Sequence, residues 1–178
     1  MSAPLISIVM PAFKCRETLA ESVQSVLTQT YSQWELVISI DDGEDYERLL
    51  GLAGLKDPRI RFTSTGSVGT GSSNARNVGV DAARSNFIAV LDADDLFAPE
   101  KLEITTPLLA ENPLISTGLQ VTDAALNPLR QVGTKGVQRR LSADIYKATN
   151  ISMDSMILYD RARLPIEYDV NQPCLVDM

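Results

Sequence analysis

Hydrophobic residues along this chain fall into short apolar runs separated by amphipathic stretches. Leu5 to Met10 reads as a first buried strand, and Leu19, Val23, Val26 and Leu27 recur behind it at helical spacing. Trp34 to Ile40 predicts a second strand, Tyr46, Leu49, Leu50 and Ala53 a second helix, and Ile60 to Thr63 a third strand. A loop rich in Gly, Ser and Thr then leads into a helix marked by Ala75, Val78, Ala82 and Ala83, and into the strand Phe87 to Leu91. Strands separated by helices require right-handed crossovers, so this part predicts an α/β, Rossmann-like, mostly parallel sheet with helices on both faces.

After Asp95 the order is less regular and predicts a mixed sheet. A helix from Pro99 to about Ala110 precedes β-like stretches at Leu114 to Thr122 and Leu129 to Val132, then a short helical segment near Ser142 to Ala148 and a strand from Ser152 to Tyr159. No repeat, low-complexity tract or linker divides the chain, so residues 1–178 are expected to form a single domain with a nucleotide-sized half at 1–103 and a variable half at 104–178.

Composition narrows the chemistry. The chain of 178 residues is 44% hydrophobic and 22% charged, enough for one sizeable core. No apolar stretch approaches the roughly 20 residues of a membrane span, and Met1-Ser2-Ala3-Pro4 does not open a signal sequence, which leads us to expect a cytoplasmic protein without an integral membrane segment. Sixteen basic against twenty-three acidic residues give a net charge of −7, which argues against nucleic acid as a partner. Cys15 and Cys174 suggest reduced thiols, and with no histidine in the chain the Ser-His-Asp, Cys-His and His-ligated zinc chemistries are excluded. Carboxylates are left to do the acid, base and metal work.

Three strand ends carry such groups. Asp92-Ala93-Asp94-Asp95 closes the apolar run Phe87 to Leu91, Pro11-Ala12-Phe13-Lys14 follows the first strand, and Asp41-Asp42-Gly43 follows the second. The carboxyl ends of parallel strands lie on one edge, where open α/β sheets take their ligands. Two carboxylates about 5 Å apart repel by roughly 3 kcal/mol at an effective dielectric of about 20, so the Asp92 cluster calls for solvent, donors or a cation. A divalent metal with a phosphorylated ligand would turn that repulsion into attraction. The plainer alternative is a solvated turn in which Asp94 or Asp95 caps the helix begun by Pro99. Phe13 could stack on a base or line the core edge, Asp41 could accept from a base N–H or organise a turn, and Arg76 could hold a phosphate or a structural ion pair.

The order of these blocks resembles family 2 glycosyltransferases of the GT-A fold. The resemblance runs through Ser7-Ile8-Val9-Met10-Pro11-Ala12-Phe13, Ser22 to Tyr31, Trp34-Glu35-Leu36-Val37-Ile38, Asp41-Asp42-Gly43, Ala75-Arg76-Asn77-x-Gly79 and Asp92-x-Asp94-Asp95, covering about residues 5 to 103. It implies transfer of a sugar from a nucleotide-sugar donor to a saccharide, lipid-linked or other hydroxyl acceptor, with inversion. Residues 1–103 become the nucleotide-sugar-binding half and 104–178 an acceptor-side half, expected to be truncated. By position, Pro11, Phe13, Asp41, Arg76 and Asp92 are implied donor contacts, and Asp94 the ligand of an Mn²⁺ or Mg²⁺ ion, the DXD metal. A location peripheral to a membrane is compatible with this.

The implied catalytic base is the Asp of a Glu-Asp pair. Here Leu175-Val176-Asp177 resembles that segment, with Val176 in place of Glu and Asp177 as candidate base, the alternative being a plain chain-end carboxylate. A nucleotide-sugar-binding domain or fragment without a complete acceptor site is the competing function. A sugar nucleotidylyltransferase would want a glycine-rich basic loop where Pro11-Ala12-Phe13-Lys14 stands, and the glycines at 66, 69 and 71 do not form the G-x-G-x-x-G of a dinucleotide site.

Overall fold

The computed structural model describes residues 3–133, 136–142, 144 and 154–171. Its main sheet has six strands: β1 (Ile6–Ala12), β2 (Trp34–Ile40), β3 (Ile60–Ser64), β4 (Phe87–Val90), β5 (Leu114–Ser116) and β8 (Ile157–Asp160), in the order β3-β2-β1-β4-β8-β5. The first four are parallel, while β8 runs antiparallel between β4 and β5. β6 (Leu119–Thr122) and β7 (Pro128–Val132) form a separate two-stranded antiparallel sheet.

Strand side chains alternate between two cores, as the period of 2 requires. Ile6, Ile8, Met10, Leu36 and Ile38 face α1 (Leu19–Leu27), α2 (Tyr46–Leu52) and α4 (Lys101–Thr105), whereas Val9, Ile88 and Val90 face Val80 of α3 (Ser72–Ala82) and Tyr159 of β8. The sheet is thus covered on both sides. Gly79 lets α3 approach: a Cβ built there would lie 2.5 Å from Val9 Cγ1, well inside contact distance. Arg161 donates to the carbonyls of Val80 (2.5 Å) and Ala83 (3.1 Å), tying the end of α3 to the chain just after β8.

Several boundaries differ from the sequence-based expectation. β1 runs on through Pro11 and Ala12, which pair with Ser39 and Ile40. A proline is tolerated because β4 pairs with β1 only as far as Val9, so the end of β1 has a strand on one side only. The helix expected from Pro99 to Ala110 is α4 followed by a 3₁₀ turn, Thr106–Ala110, with Pro107 in its first turn. The single stretch expected at Leu114 to Thr122 is two strands, β5 and β6, in different sheets. The helical segment expected near 142–148 lies largely outside the described residues, as do Ser152, Cys174, Val176 and Asp177.

Candidate functional site

The sheet reverses its winding between β1 and β4. That switch point is flanked by the ends of β1, β2 and β4. Asp41 directly follows β2 and is almost wholly buried. Its Oδ1 accepts from Thr65 Oγ1 (2.8 Å), Thr70 Oγ1 (2.6 Å) and Thr70 N (3.0 Å), and its Oδ2 from Gly71 N (2.9 Å). Burial alone would raise this carboxyl, but the donors from Thr70, Thr65 and Gly71 outweigh it and hold the group below its ordinary value. Asp41 therefore shapes the loop that leads into α3, with one acceptor position of Oδ2 uncommitted. Its neighbour Asp42 accepts from Lys14 N (2.6 Å), Tyr46 Oη (2.7 Å) and Glu44 N (3.1 Å), joining the turn after β1 to the turn after β2. Between these turns Phe13 is 45% exposed, a large apolar ring open to solvent at the edge of the switch point.

Arg76 rises from α3 beneath the same edge with a side chain only 3% exposed. Its Nη2 donates to Asp92 Oδ1 at 2.7 Å, and its Nη1 lies 3.0 Å from Asp154 Oδ2, near enough for an ion pair but off line for a hydrogen bond. Nε has no partner among the described residues. Burial disfavours the charged guanidinium, yet Asp92 and Asp154 outweigh it and raise its affinity for the proton. The cap reading of the aspartate run fails. α4 begins at Lys101 after Glu100, with no side-chain cap, and Asp95 N turns back onto Asp92 O at 3.1 Å.

The loop after β4 is held from two sides. On one, α1 presents Ser22 and Ser25 from one helical face, and Gln29 follows just after the helix. Ser22 Oγ donates to Ala93 O (2.9 Å), Ser25 Oγ accepts from Phe97 N (3.1 Å), and Gln29 bonds Ala98 O (2.8 Å) and Leu102 N (3.2 Å). On the other, Ser155 Oγ accepts from Asp92 N (3.0 Å), and the Ser155 carbonyl accepts from Lys101 Nζ (2.5 Å). Burial raises the Asp95 carboxyl, the Ser155 hydroxyl lowers it, and Asp92 and Asp94 push it up again. Burial likewise raises Asp154, against Arg76 and with Asp92, and it lowers the Lys101 ammonium to about 7.

The structure thus gathers Pro11, Phe13, Asp41, Arg76, Asp92 and the exposed Asp94 on one edge. Asp177 lies outside the described residues. Sequence reasoning missed Asp154 and Ser155, which precede β8. The only signal was a polar pair before the apolar run Met156 to Tyr159, easily read as an ordinary strand start.

The fold and the polar groups at its switch point define an α/β domain that takes its ligand at the carboxyl edge of the sheet. The chain belongs to glycosyl transferase family 2, whose model matches residues 7–163. It is 38% identical over 108 residues to the UDP-Glc:alpha-D-GlcNAc-diphosphoundecaprenol beta-1,3-glucosyltransferase WfgD of Escherichia coli, covering 61% of this chain and 42% of that protein. Staphylococcus aureus TarS 1-349 superposes with a TM-score of 0.69 at 17% identity, over 93% of this chain and 50% of that one. The mannosyltransferase PcManGT of Pyrobaculum calidifontis, solved with GDP-Man and Mn²⁺, gives 0.61 at 14% identity over 92% and 46%. These structures share the GT-A fold with this chain, which spans half or less of the length of each of these three proteins. Among the described residues no helix is long and apolar enough to cross a membrane.

Proposed function

We propose that this chain carries the donor site of a metal-dependent, inverting glycosyltransferase that moves a sugar from a nucleoside-diphosphate sugar to an acceptor hydroxyl. The observation that carries the reading is the charge at the switch point: among the described residues, Asp92 and Asp154 pair with Arg76 and Asp95 lies near Lys101, so with Asp94 the carboxylates outnumber the cations there. An anionic diphosphate could not settle there without a cation. The donor set is oxygen only, which suits Mg²⁺ or Mn²⁺. Among the described residues no three carboxylates or thiols form a ready metal cage, so diphosphate oxygens and water would complete the ligand shell. Asp94, exposed at the tip of the loop, would hold the ion, with Asp92 beside it. When bound, the ion supplies charge neutralisation for the departing nucleoside diphosphate.

This chain's own residues have distinct tasks. Phe13 offers its open ring for stacking on the base, Pro11 shapes the floor beneath it, and Asp41 presents its uncommitted Oδ2 position to a base N–H. Arg76 holds Asp92 in place. Asp177, in this reading, takes the proton of the acceptor hydroxyl as it attacks the anomeric carbon from the face opposite the leaving group, which gives inversion. The name of the E. coli relative makes UDP-glucose the first donor to test and a polyprenol-linked saccharide the first acceptor, which would suit a cytoplasmic protein peripheral to a membrane.

Calorimetry with UDP, GDP, UDP-glucose and GDP-mannose, each with Mn²⁺ and with chelator, tests the site. One nucleotide should bind at least about tenfold more tightly with the ion, a gain of about 1.4 kcal/mol. Asp94→Asn should abolish most of that gain with the melting temperature unchanged. Equal affinity with ion and with chelator would end the metal reading, and no binding of any nucleotide would end the donor reading.

A further inference from the structure

Within the Ala75-Arg76-Asn77-x-Gly79 block, Ala75 and Gly79 pack against the sheet and Arg76 serves the site, which leaves Asn77 without a stated task. Its side-chain amide reaches across 91 positions of sequence to both backbone groups of Tyr168. Nδ2 donates to Tyr168 O at 2.8 Å, and Oδ1 accepts from Tyr168 N at 2.9 Å. An amide that satisfies the N–H and C=O of one residue does what a neighbouring β-strand would do: it fixes that residue in place and in rotation. Tyr168 lies in irregular chain after β8, where no strand partner holds it.

The clamp sets a ring at the site. Arg76 Cζ lies 5.5 Å from the centroid of Tyr168, within the range of cation–π attraction. Burial first and the charge of Asp154 next raise the Tyr168 phenol, with Arg76 opposing them. The same stretch of chain continues toward Asp177. One side chain of the donor helix therefore sets the position of the segment that leads to the acceptor side.

We propose that Asn77 is a positioning residue: by clamping Tyr168 it seats the aromatic ring against Arg76 and fixes the acceptor-side segment relative to the bound donor. The proposal rests on the nucleotide-sugar reading above. In-line displacement tolerates little misplacement, and an error of about 1 Å can cost on the order of a hundredfold in rate. The clamp contacts neither the base residues Phe13 and Asp41 nor the loop of Asp92 and Asp94, and Arg76 keeps its ion pairs without it, so nucleotide affinity should change little.

The test compares wild type, Asn77→Ala and Asn77→Asp in the full-length protein. The aspartate is nearly isosteric and keeps the acceptor for Tyr168 N–H while losing the donor, so it serves if the alanine variant folds poorly. Three quantities are read: hydrogen exchange of amides 165–171, affinity for UDP with Mn²⁺, and UDP release from saturating UDP-glucose. Asn77→Ala should speed exchange in 165–171 by about tenfold or more and slow UDP release by about tenfold or more, with UDP affinity within about threefold of wild type. Unchanged exchange overturns the proposal. So does faster exchange with full turnover, and so does a loss of UDP affinity that parallels the loss of turnover. If wild type binds GDP and not UDP, the same comparison is made with GDP and GDP-mannose; if it binds neither nucleotide, the donor reading fails instead, and the exchange measurement still decides whether Asn77 clamps Tyr168.

Discussion

Gly79→Ala is the perturbation whose cost the geometry defines most closely. The new methyl would sit 2.5 Å from Val9 Cγ1, and Val9 is fully buried in the middle of β1. Ordinary carbon contacts begin near 3.5 Å, so α3 and β1 must separate by about 1 Å or Val9 must leave its rotamer. Overpacking of this kind costs about 1–3 kcal/mol, and the better helix propensity of alanine returns about 1 kcal/mol. The net loss should be up to about 2 kcal/mol, a fall in melting temperature of up to about 8 °C for a domain of this size. Because Arg76 stands one turn earlier on α3, nucleotide affinity should fall with it. The decisive assay is a double-mutant cycle in urea. Val9→Ala alone should cost about 2 kcal/mol by removing two buried methyls. The pair should cost no more than Val9→Ala alone, because the alanine at 79 enters the space that Val9 vacates, giving a coupling of about 1–3 kcal/mol. Losses that add to within about 0.5 kcal/mol would refute the close approach as the reason for glycine.

Other outcomes follow from the site. Phe13→Ala and Asp41→Ala should each weaken UDP binding by about 1–3 kcal/mol with or without Mn²⁺, and unchanged calorimetric affinity would return either residue to a purely structural role. Asp41→Ala should also cost stability, since Thr65, Thr70 and Gly71 lose their shared acceptor. Lys101 titrates at about 7 in the folded protein against about 10.4 unfolded, so between those values the unfolded chain binds more protons and stability rises with pH. Below both values the full burial penalty persists, and above both it is gone; Lys101→Met should flatten the rise seen in urea melts from about pH 7 to pH 10, and an unaltered slope would contradict the burial of the ammonium. Asp177→Asn should slow transfer by about 10²- to 10⁴-fold and leave UDP affinity alone, while near wild-type transfer would move the base elsewhere.

The parallel half of the fold was legible because each strand there is an uninterrupted apolar run with an amphipathic helix after it. Trp34–Ile40 matches its expected boundaries residue for residue. Periodicity could not see that Leu114 to Thr122 divides at Thr117-Gly118, because both pieces are short and only half buried, so neither carries a clear alternation. Asp41 illustrates a second limit: sequence places it at a strand end, but only the fold reveals four donors already upon it. Asp154 and Ser155 escaped for a geometric reason. The rule that ligands sit at carboxyl ends of strands applies to parallel strands, and β8 runs the other way, so its amino end arrives at the same edge.

The placement of β8 also has a price in time. β5 cannot join the sheet at its final position until β8 has been slotted between it and β4, yet β8 is made last of the three. On the ribosome, at about 5–20 residues per second, the roughly 65 residues between β4 and β8 take about 3–13 seconds to emerge. Through that interval the growing chain presents Phe87, Ile88 and Ala89 as an unpaired apolar strand edge, the kind of surface on which nascent chains stick to one another. Chaperone dependence and inclusion-body formation in this protein should therefore track the speed at which the 91–156 stretch is translated, more than the stability of the finished domain.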